Sequence, residues 1–223
     1  MKPTPIKIII PIILLLISRQ AGFSQGFVNL DFESANLSGY SPGSSVPTNN
    51  AIPGWVAYNN NRVTLLPDVN YVNTPSSSGG VEIITNNPIQ GDYYIYLGGG
   101  EIGQTGTIPI DAESLIFWGN YSAVGFGGAF DRISFGGQTL TVVELGETTN
   151  YNIYGIDVSA FAGDTAQLLF SAISGLGSPP PFAIDNIQFS SSPTSEPSAS
   201  WLLLLGSGIF IYVRTRTHRA KTN

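Results

Sequence analysis

Phe182-Ala183-Ile184-Asp185-Asn186-Ile187-Gln188-Phe189 is the stretch that decides the fold of this chain. Apolar and polar residues alternate along it, which is the pattern of a strand that buries one face and leaves the other polar. Asn29-Leu30-Asp31-Phe32-Glu33, near the opposite end of the body, alternates in the same way. The two stretches predict strands at the beginning and at the end of one β-rich domain.

The residues between these stretches favour an all-β sandwich. No stretch keeps the apolar spacing of three and four that a long helix needs. Short β-branched and aromatic runs recur instead between Gly, Pro and Asn clusters, which is typical of a sandwich. The predicted strands are 26–32, 54–57, 62–66, 80–85, 93–97, 100–108, 114–121, 131–135, 138–145, 151–157, 166–172 and 182–189.

Turn residues add local detail to this prediction. Phe135-Gly136-Gly137-Gln138 predicts a two-residue hairpin turn, because glycine supplies the positive φ angles that such turns require. Residues 157–163 predict one short helical turn or corner that closes on a glycine. The polar stretches 39–53 and 76–80 predict loops.

The amino-terminal end of the chain has the order of a secretory signal peptide. Residues 1–24 contain Lys2 and Lys7, an apolar run at 8–17, and small residues before the expected cut after Ser24. The mature body is then expected to be one sandwich domain, residues 25–190.

The carboxyl-terminal end predicts a membrane segment. Residues 191–200 form a flexible spacer with a Glu-Pro motif, residues 201–213 an apolar run, and residues 214–223 a basic tail on the cytoplasmic side. The apolar run has thirteen residues, fewer than the roughly 17–25 of a usual transmembrane helix. The residues that define this arrangement are Ser195, Glu196, Pro197, Arg214, Arg216 and Arg219.

This order of motif, apolar run and arginine cluster resembles the PEP-CTERM sorting tail of exported bacterial proteins, which a membrane-embedded exosortase recognises. The Pro-Glu-Pro signature is represented by Ser195-Glu196-Pro197, so its first proline is missing. The resemblance implies an exosortase-like processing partner and export across the inner membrane. The mature protein would then be membrane-anchored, or lie at the cell surface or outside the cell. A plain carboxyl-terminal anchor is the alternative.

The body between the two ends is strongly acidic. The chain has a net charge of −6, but seven of its nine Lys and Arg lie in the ends. The body keeps only Arg62 and Arg132 against fourteen carboxylates, which gives 2 − 14 = −12. Such a surface repels phosphate backbones and argues against nucleic-acid binding, whereas it attracts divalent cations. Cysteine is absent, so disulfides do not stabilise the body.

Several features of the body belong together: the two alternating end stretches, Trp55, the run 94–98 (YIYLG) and Ile102-Gly103-Gln104. Together they resemble galactose-binding-like jelly-roll domains, a fold of many carbohydrate-binding modules. The resemblance covers most of the body. It implies that the first and last strands are neighbours and that nearby carboxylates hold a structural calcium ion. Carried over by position, the metal ligands are Glu33 and Asp185, with Asp31 as a third. Backbone carbonyls can complete the six to eight oxygens that Ca²⁺ takes. The alternative is that these carboxylates cap turns.

Most catalytic constellations are excluded. The one histidine, His218, lies in the basic tail, which removes Ser-His-Asp and Cys-His catalysis and makes a zinc site improbable. A glycan hydrolase with paired carboxylates remains an alternative. Its conceivable members are Glu82, Glu101, Glu113 and Glu144, and nothing in the sequence pairs them.

Aromatic residues near predicted loops are the better candidates for binding, because sugar rings present apolar C–H faces to Trp and Tyr. The candidate ligand-binding residues are Trp55, Tyr58, Asn60 and Tyr121. Aromatic residues also fill cores, and Trp118 inside an apolar run is expected to do so. The sequence therefore predicts a non-catalytic exported protein associated with extracellular polysaccharide. The alternatives are the hydrolase and a structural matrix protein without a specific ligand.

Overall fold

A computed structural model describes residues 26–59, 64–76, 80–123, 128–173 and 182–194. Among these residues no helix is long and apolar enough to cross a membrane. The predicted signal peptide, the sorting motif, the apolar run 201–213, the basic tail and Asn60 lie outside the described residues.

The described residues form fourteen strands, one four-residue helix and one 3₁₀ turn. In chain order they are β1 (Ser44–Pro47), α1 (Thr48–Ala51), β2 (Val56–Tyr58), β3 (Leu65–Leu66), β4 (Asp68–Val72), β5 (Val81–Ile84), β6 (Tyr94–Leu97), β7 (Glu101–Thr107), β8 (Ser114–Asn120), β9 (Phe130–Phe135), β10 (Gln138–Thr139), β11 (Val142–Glu147), β12 (Asn152–Asp157), the 3₁₀ turn (Ser159–Phe161), β13 (Thr165–Ile173) and β14 (Phe182–Ser190).

The strands form two sheets. The eight-stranded sheet has the order β1-β4-β5-β6-β14-β8-β12-β11, and the six-stranded sheet has the order β10-β9-β13-β7-β2-β3. Within these sheets the pairing of β4 with β5 is parallel and the other strand pairings are antiparallel. The fold class is therefore all-β, as the sequence predicts.

One hydrophobic core joins the two sheets. Phe117 and Ile184 of the eight-stranded sheet and Ile102 and Phe170 of the six-stranded sheet belong to the same buried cluster. Alternate residues of a strand point to opposite faces, so each sheet has an inner face toward this core and an outer face away from it. The arrangement is a β-rich, sandwich-like body.

A close approach of two backbones fixes β8 against β14. Gly119 has φ +156°, and a Cβ at this position would lie 1.9 Å from the carbonyl oxygen of Ala183 in β14. Only glycine fits there without moving one strand. On the far side of this contact β14 contains a bulge between Asp185 and Gln188, where Asn186 adopts φ 47°.

The structure confirms much of the predicted strand pattern and corrects it in places. The hairpin turn at Gly136 and Gly137 is present with φ angles of 57° and 86°, and a 3₁₀ turn lies within residues 157–163. Residues 26–32 are not a strand, because Asn29 and Phe32 adopt positive φ angles and turn the chain. The predicted loop 39–53 contains β1 and α1, and the predicted strand 138–145 is divided between β10 and β11.

Candidate functional site

The three carboxylates predicted as metal ligands lie near one another, and we call them the acidic cluster: Asp31, Glu33 and Asp185. The side chain of Asp185 is fully buried. The pKa of Asp185 is raised to about 7, mainly by burial and also by the negative charges of Glu33 and Asp31, while backbone hydrogen bonds from Asn186 and Gln90 lower it. The cluster thus joins the turn that opens the body to the bulge of the last strand.

Backbone N–H groups engage the oxygens of the acidic cluster. Gln90 N donates to Oδ2 of Asp185 over 2.7 Å, and Asn186 N donates to its Oδ1 over 2.6 Å. Glu33 Oε1 accepts hydrogen bonds from the backbone N–H groups of Asp92 and Tyr93, at 2.9 and 3.1 Å. These contacts are what the turn-capping alternative predicts.

The negative charge of the acidic cluster favours a cation, whereas its side chains do not form a complete coordination shell for a metal ion. In the part of the chain that the structure describes, no group of three or more His, Cys, Asp or Glu is arranged to hold a metal ion. The single Lys or Arg of that part, Arg132, belongs to β9 in the other sheet. Hard oxygen donors without a compensating cation match the chemistry of Ca²⁺, provided that backbone oxygens complete the coordination.

Trp55, the first candidate for sugar stacking, lies in the core and is 2% exposed. Its ring packs against Phe32 and Phe170, with centroid distances of 5.6 and 6.1 Å. Its Nε1 donates to the carbonyl of Asn29 over 2.9 Å, which ties the opening turn to β2. These surroundings favour the packing role for Trp55.

Tyr58 and Tyr121 lie in different parts of the sandwich. Tyr121 packs edge-on against Phe182, with centroids 5.5 Å apart, and its backbone N–H donates to the hydroxyl of Tyr154. Its ring therefore faces the space between the sheets. Tyr58 alternates with the buried Ala57 and so lies on the outer face of the six-stranded sheet. The structure does not bring Trp55, Tyr58 and Tyr121 into one surface.

Strand register places four polar residues side by side on that outer face, and we call them the polar row: Tyr58, Glu101, Ser171 and Arg132. Tyr58 of β2 pairs with Glu101 of β7, Glu101 pairs with Ser171 of β13, and Ser171 pairs with Arg132 of β9. Tyr58 ends its strand and Glu101 begins its own. The row therefore crosses one end of the sheet.

Two groups of the polar row are buried without a hydrogen-bond partner among the described residues. Ser171 is fully buried, and its Oγ has no hydrogen-bond partner among the described residues. Nε of Arg132 is also buried and also has no partner among them. A buried polar group without a partner costs roughly 1–3 kcal/mol, so a bound polar molecule or ordered water is expected to satisfy it. Beside the row, Nε2 of Gln167 donates to the hydroxyl of Tyr58 over 3.2 Å and passes above Gly103.

Asp131 is next to Arg132 in the chain and points to the inner face. It is 2% exposed, and burial raises its pKa to about 7 although Oδ2 accepts a 2.7 Å hydrogen bond from the backbone N–H of Ser122. Its Oδ1 has no hydrogen-bond partner in the described part of the chain. Asp131 also raises the pKa of Tyr121, so it lies within electrostatic reach of that ring.

The carboxylates considered for a hydrolase occupy different elements. Glu82 lies in β5 of the eight-stranded sheet, whereas Glu101 lies in β7 of the other sheet. Glu113 and Glu144 are exposed. Glu82 accepts hydrogen bonds from the backbone N–H and the hydroxyl of Ser76. None of these contacts pairs two glutamates across a cleft within the described residues.

Sequence reasoning missed Ser171 and the position of Arg132, since a lateral row depends on register between distant strands. One signal was available, because Arg132 is one of two basic residues in an acidic body and follows an alternating pattern. Comparison with known proteins adds no assignment: no family model, curated protein or solved structure matches the chain.

The pKa of Asp131 predicts a pH dependence of stability. A carboxyl whose pKa rises from 3.8 to about 7 on folding stabilises the folded state fully below its unfolded pKa. That contribution disappears as pH rises through about 7. At roughly 1.4 kcal/mol per pKa unit the shift corresponds to about 4 kcal/mol.

We expect Asp131→Asn to remove this loss of stability. The free energy of unfolding of the variant, relative to that of wild type, should therefore increase between pH 5 and 8, as measured by urea unfolding. An exposed control, Asp164→Asn, should follow wild type. Parallel curves for wild type and Asp131→Asn would contradict the assignment.

Proposed function

We propose that this chain is an exported, surface-associated, non-catalytic protein that binds extracellular polysaccharide through the polar row. The observation that carries the proposal is the pair of buried, unpartnered groups on an outer sheet face, Oγ of Ser171 and Nε of Arg132. Isolated polar groups of this kind are costly in a purely structural sheet.

The chemistry of the polar row suits a ligand that is rich in hydroxyl groups. A guanidinium donates hydrogen bonds, a carboxylate accepts them, and a serine hydroxyl does both. A sugar hydroxyl also does both, so adjacent hydroxyls of one chain can bind Arg132 and Tyr58, which are the half-buried residues of the row. Tyr58 at the end of the row adds an aromatic ring that is half-buried and held through its hydroxyl by Gln167.

We further propose that the sandwich is a galactose-binding-like jelly roll, residues 25–190. Its two sheets around one core support this, as does the contact between the two ends of the body. Ile187 N of the last strand donates to the carbonyl of Leu30 in the opening turn over 3.0 Å. The same contact brings the acidic cluster together, and it supports the proposal of a structural calcium ion at Asp31, Glu33 and Asp185.

The export proposal depends on the ends of the chain. The signal peptide at residues 1–24, the Glu196-Pro197 motif, the apolar run 201–213 and the following arginines support it. An exosortase-like membrane enzyme is the proposed processing partner. The body would be delivered across the inner membrane and remain anchored there or reach the cell surface.

The binding proposal predicts a loss of affinity in Arg132→Ala. Affinity gel electrophoresis uses a panel of neutral and acidic polysaccharides, and one of them should slow the migration of the wild-type protein. The affinity for that polysaccharide should fall about tenfold or more in the variant, because one charged hydrogen bond contributes about 1.5–3 kcal/mol. Gln138→Ala, an exposed change at the far end of the same sheet, is the matched control. Equal affinity in Arg132→Ala would contradict the polar row as the site, and release of reducing sugar would favour the hydrolase.

The calcium proposal predicts a chelator effect on stability. The mature protein in 1 mM calcium should melt several degrees higher than in excess EGTA, since a ligand that binds only the folded state stabilises it. Asp185→Asn should abolish this difference, whereas Asp68→Asn, an exposed acid outside the acidic cluster, should retain it. An unchanged melting temperature in wild-type protein shown to carry calcium would argue against a structural role for the metal.

The export proposal predicts the mass of the mature protein. Mass spectrometry of the protein from its native membrane should find Gln25 at the amino terminus and a carboxyl terminus close to the Glu196-Pro197 motif. A carboxyl terminus at Asn223 in a membrane-bound protein would favour the plain anchor. Full-length protein starting at Met1 in the cytosol would contradict export.

A further inference from the structure

A stacked aromatic pair lies on the outer face of the eight-stranded sheet, opposite the polar row. Trp118 of β8 and Tyr151, next to β12, stack with centroids 5.1 Å apart and ring planes 15° from parallel. Trp118 alternates with Phe117, which belongs to the core, so the pair faces away from the core. Both rings are half-buried rather than enclosed. The sequence alone predicted a packing role for Trp118.

Tyr151 lines a groove of about 690 Å³, which we call the Tyr151 groove. Among the described residues, the others that line it carry amides, a hydroxyl and short apolar groups, and none of those is charged. The described lining residues are Asn87, Pro88, Ile89, Thr149, Asn150 and Tyr151. An aromatic ring beside neutral amides differs from the strongly acidic composition of the body, and it matches the apolar faces and the hydroxyls of an uncharged sugar.

Local contacts hold the Tyr151 side of the groove in position. The backbone N–H and the hydroxyl of Thr148 both donate to the carbonyl of Tyr151, at 2.8 and 2.7 Å. The same hydroxyl oxygen accepts hydrogen bonds from the backbone N–H groups of Asn150 and Tyr151. Trp118 supports the ring of Tyr151 from one side. A ring that is already oriented loses little conformational entropy when a ligand stacks on it.

The opposite wall is fixed as well. Asn87 adopts φ 53°, and Ile89 packs against the small outer cluster of Ile84, Tyr94 and Ala183. The next residue, Gln90, donates its N–H to the buried carboxylate of Asp185. The wall is therefore tied to the last strand and to the acidic cluster.

We infer that the Tyr151 groove is a second carbohydrate site, which takes an uncharged pyranose ring against Tyr151 with its hydroxyls on Asn87 and Asn150. The choice of a polysaccharide as the source of that ring rests on the proposed function, whereas the groove itself does not. The polar row and the Tyr151 groove lie on the outer faces of opposite sheets. One molecule can then hold two polysaccharide chains together.

Isothermal titration of the mature protein tests the site. The probes are neutral hexasaccharides of β-linked glucose, galactose, mannose, xylose and N-acetylglucosamine. We expect Tyr151→Ala to weaken binding of the recognised hexasaccharide about tenfold or more, a change of about 1.4 kcal/mol. Tyr151→Phe retains the ring and should bind within about twofold of wild type, because stacking rather than the hydroxyl carries the affinity. The melting temperature of each variant shows that it is folded.

A second measurement separates the groove from the polar row. Turbidity of a solution of the recognised polysaccharide should rise with wild-type protein and fail to rise with either Tyr151→Ala or Arg132→Ala, although each variant keeps one site. If Arg132→Ala binds like wild type while Tyr151→Ala loses binding, the groove stands and the polar row does not. Wild-type affinity in folded Tyr151→Ala, or no hexasaccharide bound by wild type, would overturn the second site.

Discussion

The insertion of the last strand between β6 and β8 is the constraint on which the rest of the structure depends. β14 pairs with both neighbours, and its inner residues Phe182 and Ile184 belong to the shared core. Gly119 allows the backbone of β8 to approach Ala183 closely enough for this pairing. Since the chain has no cysteine, noncovalent contacts of this kind must hold together residues far apart in the sequence. A side chain at position 119 would separate the strands that carry Asp185 and Trp118.

The same strand explains why charge is buried here. The bulge after Asp185 directs this carboxylate toward the backbone N–H groups of Gln90 and Asn186, so that one residue fastens a loop and a turn. Burial raises its pKa, and Asp131 shows the same effect at the end of the other sheet. Neither carboxylate has a positive partner among the described residues, and burial of such a charge lowers stability at neutral pH. The two buried carboxylates therefore lower the stability of the body at neutral pH. Neutral residues in a purely structural role would lower it less.

The parts of the fold that sequence reasoning predicted are those encoded by local pattern. The alternation along 182–189 and the two glycines at 136–137 each determine one local structure, and both are present. Residues 29–33 show the same alternation but turn instead, because Phe32 is buried beside Trp55 and the backbone adopts positive φ at Asn29 and Phe32. β1 and β4 were missed since their short, polar sequences gain strand structure from pairing with each other and from the parallel contact of β4 with β5. The members of the acidic cluster were named from the resemblance to galactose-binding-like domains, and each lies within one of the two alternating stretches. The polar row was not, because it depends on register across four strands.

The described residues form a sandwich-like body without a long helix, and this has a consequence for binding. The inner faces of its two sheets are buried in the core, so ligands must bind to the outer faces or to the strand ends. This chain places unusual residues at both kinds of position: its one described arginine beside a buried serine on one face, and a stacked Trp118–Tyr151 pair on the other. Neither arrangement adds to the shared core, and each has half-buried side chains that a sugar can contact: Arg132 and Tyr58 on one face, and Trp118 and Tyr151 on the other. If both bind, the distance between two captured chains is set by the thickness of the sandwich itself, because no flexible linker lies between the two faces. The rigidity that the core gives to the two sheets would then become the property that the protein contributes to a matrix.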